Sequence, residues 1–308
     1  MRFIHPGRPA RQTPMKKNLS FFDPPTPDSR PGPLDRGPDA AATPPRRLAV
    51  IGCAVLETEL AHFAEARGQA GGGGAAPEIV AQVHLEQGLH NDPPELRRRL
   101  QAAIDRVEAE ADPDASPDAI VLAYGLCSRG VDGLLARRAA VVIPRAHDCI
   151  TLLLGSGERY ARYVADHPGT YWYSPGWNRH HTPPGRERYD KLHADYAERY
   201  GEDNAAFLME QEQHWFKTYD RAAYVHLTVG ATERDKRYTR DCADWLQWSY
   251  DEQVGDPGLM TDLLAGRWDD ERFVVVRPGE RLAMTGDERI MRSEPAATGG
   301  VADKRGGS

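Results

Sequence analysis

The sequence predicts an α/β protein with two Rossmann-like halves of parallel sheet that face each other across a cleft. Short apolar runs typical of buried strands alternate with stretches of helical periodicity, which favours parallel βαβ units. Three of the four cysteines, Cys53, Cys127 and Cys149, follow such runs. Because ligands bind outside the carboxyl ends of parallel strands, we expect the three thiols to meet at one edge of the sheet.

The first half is expected over residues 46–146. The spacing of Leu56 and Leu60 predicts a helix after the first strand. Asn91 or Asp92 can cap a second helix, which opens with two prolines. Four strands are predicted, at Arg47–Cys53, Glu78–Leu85, Ala119–Tyr124 and Ala139–Ile143.

The second half is expected over residues 147–284, with an aromatic-rich helical insertion from about 184 to 219. Further helices are predicted from Cys149 to about Ala165, from about Thr232 to Gln253, and near Leu259–Leu264. Three strands are predicted, at Thr170–Ser174, Ala223–Thr228 and Arg272–Val276.

Both ends of the chain have a different composition. Residues 1–45 are rich in Pro, Arg and Asp and contain few apolar residues, so we expect a disordered extension. The glycine-rich segment 285–308 is expected to be a flexible tail.

Composition excludes several classes of protein. A net charge of −7 argues against a general nucleic-acid binder. No apolar run reaches the roughly 18 residues needed to span a membrane. The first residues lack the apolar core of a secretory signal, and four cysteines in 308 residues do not make a disulfide scaffold. We therefore expect a cytoplasmic protein whose cysteines are reduced thiols or metal ligands.

The segment from Ile143 to Cys149 holds the densest set of reactive side chains. His147 and Cys149 are two residues apart and, on an extended strand end, would point to the same side, so both could reach one metal ion. Asp148 is expected to cap the following helix or to orient a ligand. Arg145 is expected to hold an anionic substrate group or a carboxylate.

A second segment brings Tyr124 and Gly125 to a glycine-bracketed loop that contains Cys127. Glycine permits close backbone approach, which could aim the thiol into a cleft. A helix from about Val131 would place its positive end near the thiol and lower its pKa. The alternative is a tight turn with a buried cysteine.

Two ring-bearing residues complete the predicted site. His90 follows the second strand and can reach the same edge, where a capping role for its neighbours is the alternative. Trp177, in a Pro-Gly-Trp turn, can stack on a planar ligand or pack between the halves. Cys242 falls within a predicted helix, where we expect a buried core residue.

Five segments occur in a specific combination. They are Gly52-Cys53, Leu89-His90, Tyr124-Gly-Leu-Cys127, Ile143-Pro-Arg-Ala-His-Asp-Cys-Ile150 with Leu154-Gly-Ser156, and Pro175-Gly-Trp177. Together they resemble the bacterial and archaeal family of domain of unknown function 1638, over roughly residues 47–280. Members of that family lie beside genes for corrinoid-dependent methyltransferases. The resemblance therefore implies one-carbon metabolism, with a methyltransferase or corrinoid protein as partner.

The leading hypothesis is a metal-dependent transferase or lyase that acts on a small anionic substrate. Cys53, Cys127 and Cys149 would hold one zinc or iron ion, or an iron–sulfur cluster, and leave a position open. His147 would be a ligand or proton donor. The cofactor would be lined by His90, Tyr124, Gly125 and Trp177.

Two other functions remain open. One is a non-catalytic protein that binds a metal, cluster or corrinoid and delivers it to a partner enzyme. The other is a metal-free enzyme with Cys127 or Cys149 as the nucleophile.

Overall fold

The computed structural model describes residues 45–66 and 76–296. The predicted disordered extension, apart from its last residue, lies outside the described residues, as does the end of the predicted tail from residue 297. The strands of the described part are β1 Arg47–Cys53, β2 Glu78–Leu85, β3 Ala119–Ala123, β4 Ala140–Pro144, β5 Thr170–Tyr173, β6 Arg221–His226, β7 Ser249–Val254, β8 Phe273–Val276, β9 Glu280–Met284 and β10 Met291–Pro295.

The helices of the same part connect these strands and confirm the α/β class. Most of them lie between parallel strands, as βαβ units require. They are α1 Glu57–Ala66, α2 Pro93–Glu110, α3 Cys149–Leu154, α4 Gly157–Asp166, α5 Pro175–His180, α6 Arg186–Tyr200, α7 Glu202–His214, α8 Glu233–Leu246 and α9 Gly258–Leu264.

The first sheet has the strand order β2-β1-β3-β4-β8. Its first four strands are parallel, and β8 pairs antiparallel with β4. Alternate residues of β1 face opposite sides, so Leu48 and Val50 pack with α1, α3 and α9, whereas Ala49 and Ile51 pack with α2. Helices on both faces explain why these strands are almost wholly apolar.

The second sheet has the order β5-β6-β7, all parallel. Its core holds Tyr173, Tyr224, Cys242 and Trp248. Cys242 is 5% exposed, as expected for a core residue of α8. A separate antiparallel hairpin, β9–β10, packs against the first sheet through Leu282 and Met291.

Four predicted segments differ from the structure. The helix expected from Cys149 to about Ala165 is divided into α3 and α4, because Gly155 takes a left-handed conformation (φ 80°). The long helix expected up to Gln253 ends at Leu246, because Gln247 takes a left-handed conformation (φ 61°) and the chain turns into β7. The strand predicted near Arg272 belongs to the first sheet as β8, although it falls within the expected second half. The start of the predicted flexible tail contains β10, which pairs with β9 and buries Met291 completely.

The second sheet meets the first where α5 packs on the 3-10 turn that follows β1. A Cβ on Gly176 would lie 1.7 Å from the carbonyl oxygen of Val55, so only glycine allows the two backbones to approach this closely. This contact brings the end of β5 beside the end of β1. None of the helices in the described ranges is long and apolar enough to cross a bilayer.

Candidate functional site

The candidate site lies at the carboxyl edge of the first sheet. The order β2-β1-β3-β4 reverses the direction of winding between β1 and β3, and such a switch point opens a crevice for ligands. Cys53 is the last residue of β1, and the loop with Tyr124 and Cys127 follows β3. The sequence therefore predicted the correct edge of the sheet.

The loops after β3 and β4 are joined through their backbones. Leu126 N donates to the carbonyl of Ala146 (2.8 Å), and Cys127 N donates to that of His147 (3.0 Å). A Cβ on Gly125 would lie 2.5 Å from the backbone nitrogen of Asp148. The space beside Gly125 is thus filled by backbone, which gives this residue a packing role instead of the predicted contact with a cofactor.

Cys127 begins a left-handed turn. Cys127, Ser128 and Arg129 have φ angles of 44°, 55° and 74°, and none of them is glycine. Such residues cost about 1–3 kcal/mol each and persist where the surroundings hold them, often at functional sites. Here α2 supports the turn: Arg97 Nη2 donates to the carbonyl of Arg129 (3.4 Å). The predicted helix from Val131 is absent from this described segment, so no helix dipole acts on Cys127 from there.

The three thiols lie close enough to influence one another's ionisation. Burial raises the pKa of Cys53, and it raises the pKa of Cys127 to about 12, with help from the charges of Asp148 and Cys53. Burial, Asp148 and the other two thiols raise the pKa of Cys149 well above its ordinary value. Within residues 45–66 and 76–296, no three His, Cys, Asp or Glu side chains are already arranged to hold a metal ion.

Asp148 lies near His90, Cys127 and Cys149, since its charge acts on all three. Its Oδ1 accepts hydrogen bonds from Thr151 N (3.1 Å) and Thr151 Oγ1 (3.3 Å), so it caps α3 as predicted. Burial raises the pKa of Asp148, and hydrogen bonds from Thr151 and Tyr160 oppose that rise. A buried carboxyl with a raised pKa is suited to accept a proton from a neighbouring thiol.

Three buried donors come from segments that follow β2, β3 and β5. Tyr124 Oη, Gln87 Nε2 and Trp177 Nε1 have no hydrogen bond of normal geometry to the described residues. The Tyr124 hydroxyl lies near the Cys53 thiol and moderates the rise in the pKa of that thiol. These three groups are the donors that a polar ligand or ordered water at this edge would meet.

A row of rings borders the site on the side of the second sheet. The rings of His90 and Trp177 are 5.8 Å apart, and those of Trp177 and His181 are 4.7 Å apart. Burial lowers the pKa of both histidines. The structure therefore places His90 and Trp177 in contact, while their predicted role in binding a cofactor stays a prediction.

Two predicted site residues have other surroundings. Arg145 donates to the backbone carbonyls of Asp270, Arg289 and Met291, and also to the Asp270 carboxylate, so it ties the ends of β8 and β10 to β4. The side chain of His147 is exposed to solvent. The predicted alternation fails because β4 ends at Pro144 and Cys149 is the first residue of α3.

The sequence analysis missed several neighbours of the site. Tyr160 reaches Asp148 from α4, Gln87 precedes the His90 turn, and His181 stacks on Trp177. No residue spacing pointed to Tyr160, which lies twelve positions after Asp148 on a separate helix. The Trp-x-x-x-His spacing on α5 was a usable signal for His181.

Comparison with known proteins gives one family match. The family described as "Protein of unknown function (DUF1638)" matches residues 84–264, which is more than half of the chain. The match includes Cys127, Cys149 and Trp177, whereas Cys53 lies outside it. It is narrower than the span of 47–280 expected from the motifs. No curated protein and no solved structure gives a significant match.

Proposed function

The chain belongs to the DUF1638 family of proteins of unknown function, and we propose that it is a metal-dependent enzyme centred on Cys53, Cys127 and Cys149. The three thiolates would hold one zinc or iron ion, or an iron–sulfur cluster. The substrate would be a small anion of one-carbon or corrinoid-linked metabolism. A cytoplasmic location is part of the proposal, because thiols stay reduced there.

The observation that carries this proposal is the position of three half-buried thiols, which follow β1, β3 and β4 at the switch point of the sheet. The negative charge of Cys53 raises the pKa of Cys127, and the charges of both raise that of Cys149. No cationic side chain is among the groups that shift these three pKa values. A soft metal cation would remove the mutual repulsion and bind thiolates in preference to thiols.

The donor set fits such a centre in chemistry and burial. Its side chains must move closer before they can share one ion, since they are not yet at ligand spacing. The turn at Cys127–Arg129 is the element best suited to such a movement, because its left-handed residues are already strained. A bound zinc ion would supply an activated thiol or water, and a cluster would supply a Lewis-acidic iron.

The neighbouring residues would handle protons and substrate. Asp148 would accept a proton released from a thiol, since it is buried beside Cys127 and Cys149 and held by Thr151. Tyr124 would donate its free hydroxyl to an oxygen of the substrate. Both groups are fixed by packing, so they would meet the substrate without much reorganisation.

A carrier function is the second candidate, and the row of rings favours it. His90, Trp177 and His181 form a surface on which a flat cofactor such as a corrinoid could stack. In that case the protein would transfer its ligand to a partner methyltransferase without turnover. A metal-free thiol enzyme is less favoured, because a nucleophilic cysteine needs a lowered pKa and these pKa values are raised.

The test is the metal, iron and sulfide content of the protein purified without oxygen. We expect about one zinc ion or one cluster per chain in the wild type. Cys53→Ala, Cys127→Ala and Cys149→Ala should each lose it, because two thiolates do not complete the site.

Cys242→Ala is the matched control, since Cys242 is buried in the core of the second sheet. It should keep the full metal content, and circular dichroism should show that all four variants fold. A wild-type protein that contains no metal and takes up none on reconstitution would rule out the proposal. Ligand transfer without substrate turnover would select the carrier instead.

A further inference from the structure

A polar cavity of about 450 Å³ lies beside the row of rings, at the end of α5 and the start of α6. It is lined by Asn178, Arg179, His180, His181, Thr182, Glu187 and Lys191. His181 belongs to both the cavity and the row of rings, since its ring contacts Trp177. The cavity and the row of rings therefore share one side chain.

Arg179 provides a cation without a direct ion pair, although its charge also acts on the buried Glu59 carboxyl and opposes the rise in the pKa of that group. Its Nη1 donates to Thr58 Oγ1 (2.8 Å), and its Nε donates to the carbonyl of Pro175 (3.1 Å). These bonds hold the guanidinium in place without neutralising it. In the described ranges Arg179 makes no ion pair with a carboxylate within 4 Å. A guanidinium of this kind is suited to a carboxylate or phosphate oxygen.

The one carboxylate in the lining is already compensated. Glu187 lies 2.6 Å from Lys191 Nζ and accepts a hydrogen bond from Tyr238 Oη (3.1 Å). The bonds to Lys191 and Tyr238 lower the pKa of Glu187, so it remains paired with Lys191 at neutral pH. Arg179 thus contributes a positive charge to the cavity, whereas His180 lies 3.9 Å from the Glu57 carboxylate.

Asn178, also in the lining, is held by the protein itself. It donates from Nδ2 to Thr239 Oγ1 (3.0 Å), and its Oδ1 is shielded from solvent and has no partner in the described part of the chain. Because this oxygen is not exposed to the cavity, it sets no requirement on the group that binds there.

We propose that this cavity binds the anionic end of the substrate, a carboxylate or a phosphate, with Arg179 as the principal cation. This proposal rests on the proposed function, because the other, reactive end of the same substrate would lie beyond the row of rings, at the three thiols. It also moves the anion-binding role from Arg145, whose donors hold β8 and β10. Nothing in the cavity itself depends on a metal.

The test is titration of the full-length protein with inorganic phosphate and, separately, with acetate. Binding is detected from changes in the NMR signals of the His180 and His181 rings. We expect at least one of the two anions to bind at millimolar concentration, and the one that binds more tightly identifies the class of substrate. Arg179→Gln should weaken binding about tenfold, as expected for loss of a charge-assisted hydrogen bond. Lys191→Gln should weaken it about twofold to threefold, because Lys191 is shared with Glu187.

Arg199→Gln is the matched control, because Arg199 is an exposed cation of α6 that pairs with Asp195 (2.8 Å) outside the cavity lining. It should leave binding unchanged. Cys149→Ala should also bind the anion normally, so failure of the metal centre and failure of the anion site are separate results. Absence of binding by either anion, or equal binding by the Arg179→Gln and Lys191→Gln variants and the wild type, would overturn the proposal.

Discussion

The two parallel sheets end in polar edges that differ in how their groups are partnered. At the edge of the second sheet, Glu252 accepts from His226 (3.1 Å) and Tyr250 (3.2 Å) and pairs with Lys236 (2.7 Å). At the edge of the first sheet, the donors of Tyr124 and Trp177 have no partner in the described residues. The second edge is mainly a charged, paired network that contributes to stability, although the buried Tyr224 Oη beside Glu252 also lacks a partner in the described residues. The first edge has uncharged buried donors, which a ligand or ordered water would satisfy.

The contact between α5 and the turn after β1 joins the two edges, and breaking it should have the largest effect. In Gly176→Ala the new Cβ would lie 1.7 Å from the Val55 carbonyl oxygen, so backbone must move. We expect a loss of at least about 4 kcal/mol in the free energy of unfolding, or no folded protein. Urea unfolding measures this loss.

Gly157→Ala is the control for that change, because a Cβ at Gly157 meets nothing within 4 Å. Gly157 is the first residue of α4. Alanine at this position should increase the free energy of unfolding by no more than about 1 kcal/mol. Equal stability of the two variants would show that α5 does not rest on this turn.

Glu59, on α1, is a buried carboxyl without a hydrogen-bond partner in the described part of the chain, in contrast to the paired Glu252. It is 1% exposed, and neither carboxylate oxygen has a partner in the described ranges. Burial raises the pKa of Glu59 to about 7, so the folded protein keeps a proton that the unfolded chain has lost. The contribution of Glu59 to the free energy of unfolding should therefore be most favourable below about pH 4.5, and should become less favourable as the pH rises to about 7.

Glu59→Gln removes this pH dependence because glutamine cannot ionise. At pH 8 the variant should be more stable than the wild type by up to about 3 kcal/mol, and the difference should vanish near pH 4. Thermal unfolding across this pH range is the measurement, with the exposed Glu110→Gln as control. A variant that is less stable at pH 8 would mean that the carboxylate has a partner.

Glu252→Gln tests the paired edge and should have the smallest effect. The hydrogen bond from Lys236 lowers the pKa of Glu252. The ionised carboxylate therefore stabilises the fold above about pH 4.5, and this stabilisation is lost as the pH falls. Because this network is partly exposed, we expect the free energy of unfolding to fall by no more than about 1 kcal/mol at pH 7. This loss should be smaller at high salt, which screens the charges. Urea unfolding at low and high salt measures it.

The same variant should keep the metal content of the wild type, because Glu252 lies at the second edge. The exposed Glu158→Gln, which breaks a helix pair with Arg162, is its control. A loss of metal in Glu252→Gln would mean that the two edges act as one site.

The sequence predicted the first sheet well because its strands β1, β3 and β4 are buried on both faces. Uninterrupted apolar runs such as that of β3 allow few other structures, and parallel pairing brings the residues that follow them to one edge. The meeting of Cys53, Cys127 and Cys149 at the switch point could therefore be foreseen. Their spacing could not, because it depends on the left-handed turn at Cys127–Arg129.

Polar segments were harder to predict. β7 contains Ser249, Asp251 and Glu252 and lies at the edge of its sheet, so its polar face resembled the end of a helix. Arg145 looked available for a substrate, but its partners come from segments more than 120 residues later in the chain. Contacts at that sequence separation leave no local pattern.

The placement of β8 has a consequence for synthesis of the chain. The first sheet uses β4 at Ala140–Pro144 and is completed only by Phe273–Val276, about 130 residues later, after the whole second sheet. At roughly 5–20 residues per second, a ribosome needs about 7 to 26 seconds to cross that interval. During this time β4 is an open strand edge, and open edges pair readily with other chains. A nascent chain of this protein should therefore depend on chaperones most between the appearance of β4 and that of β8.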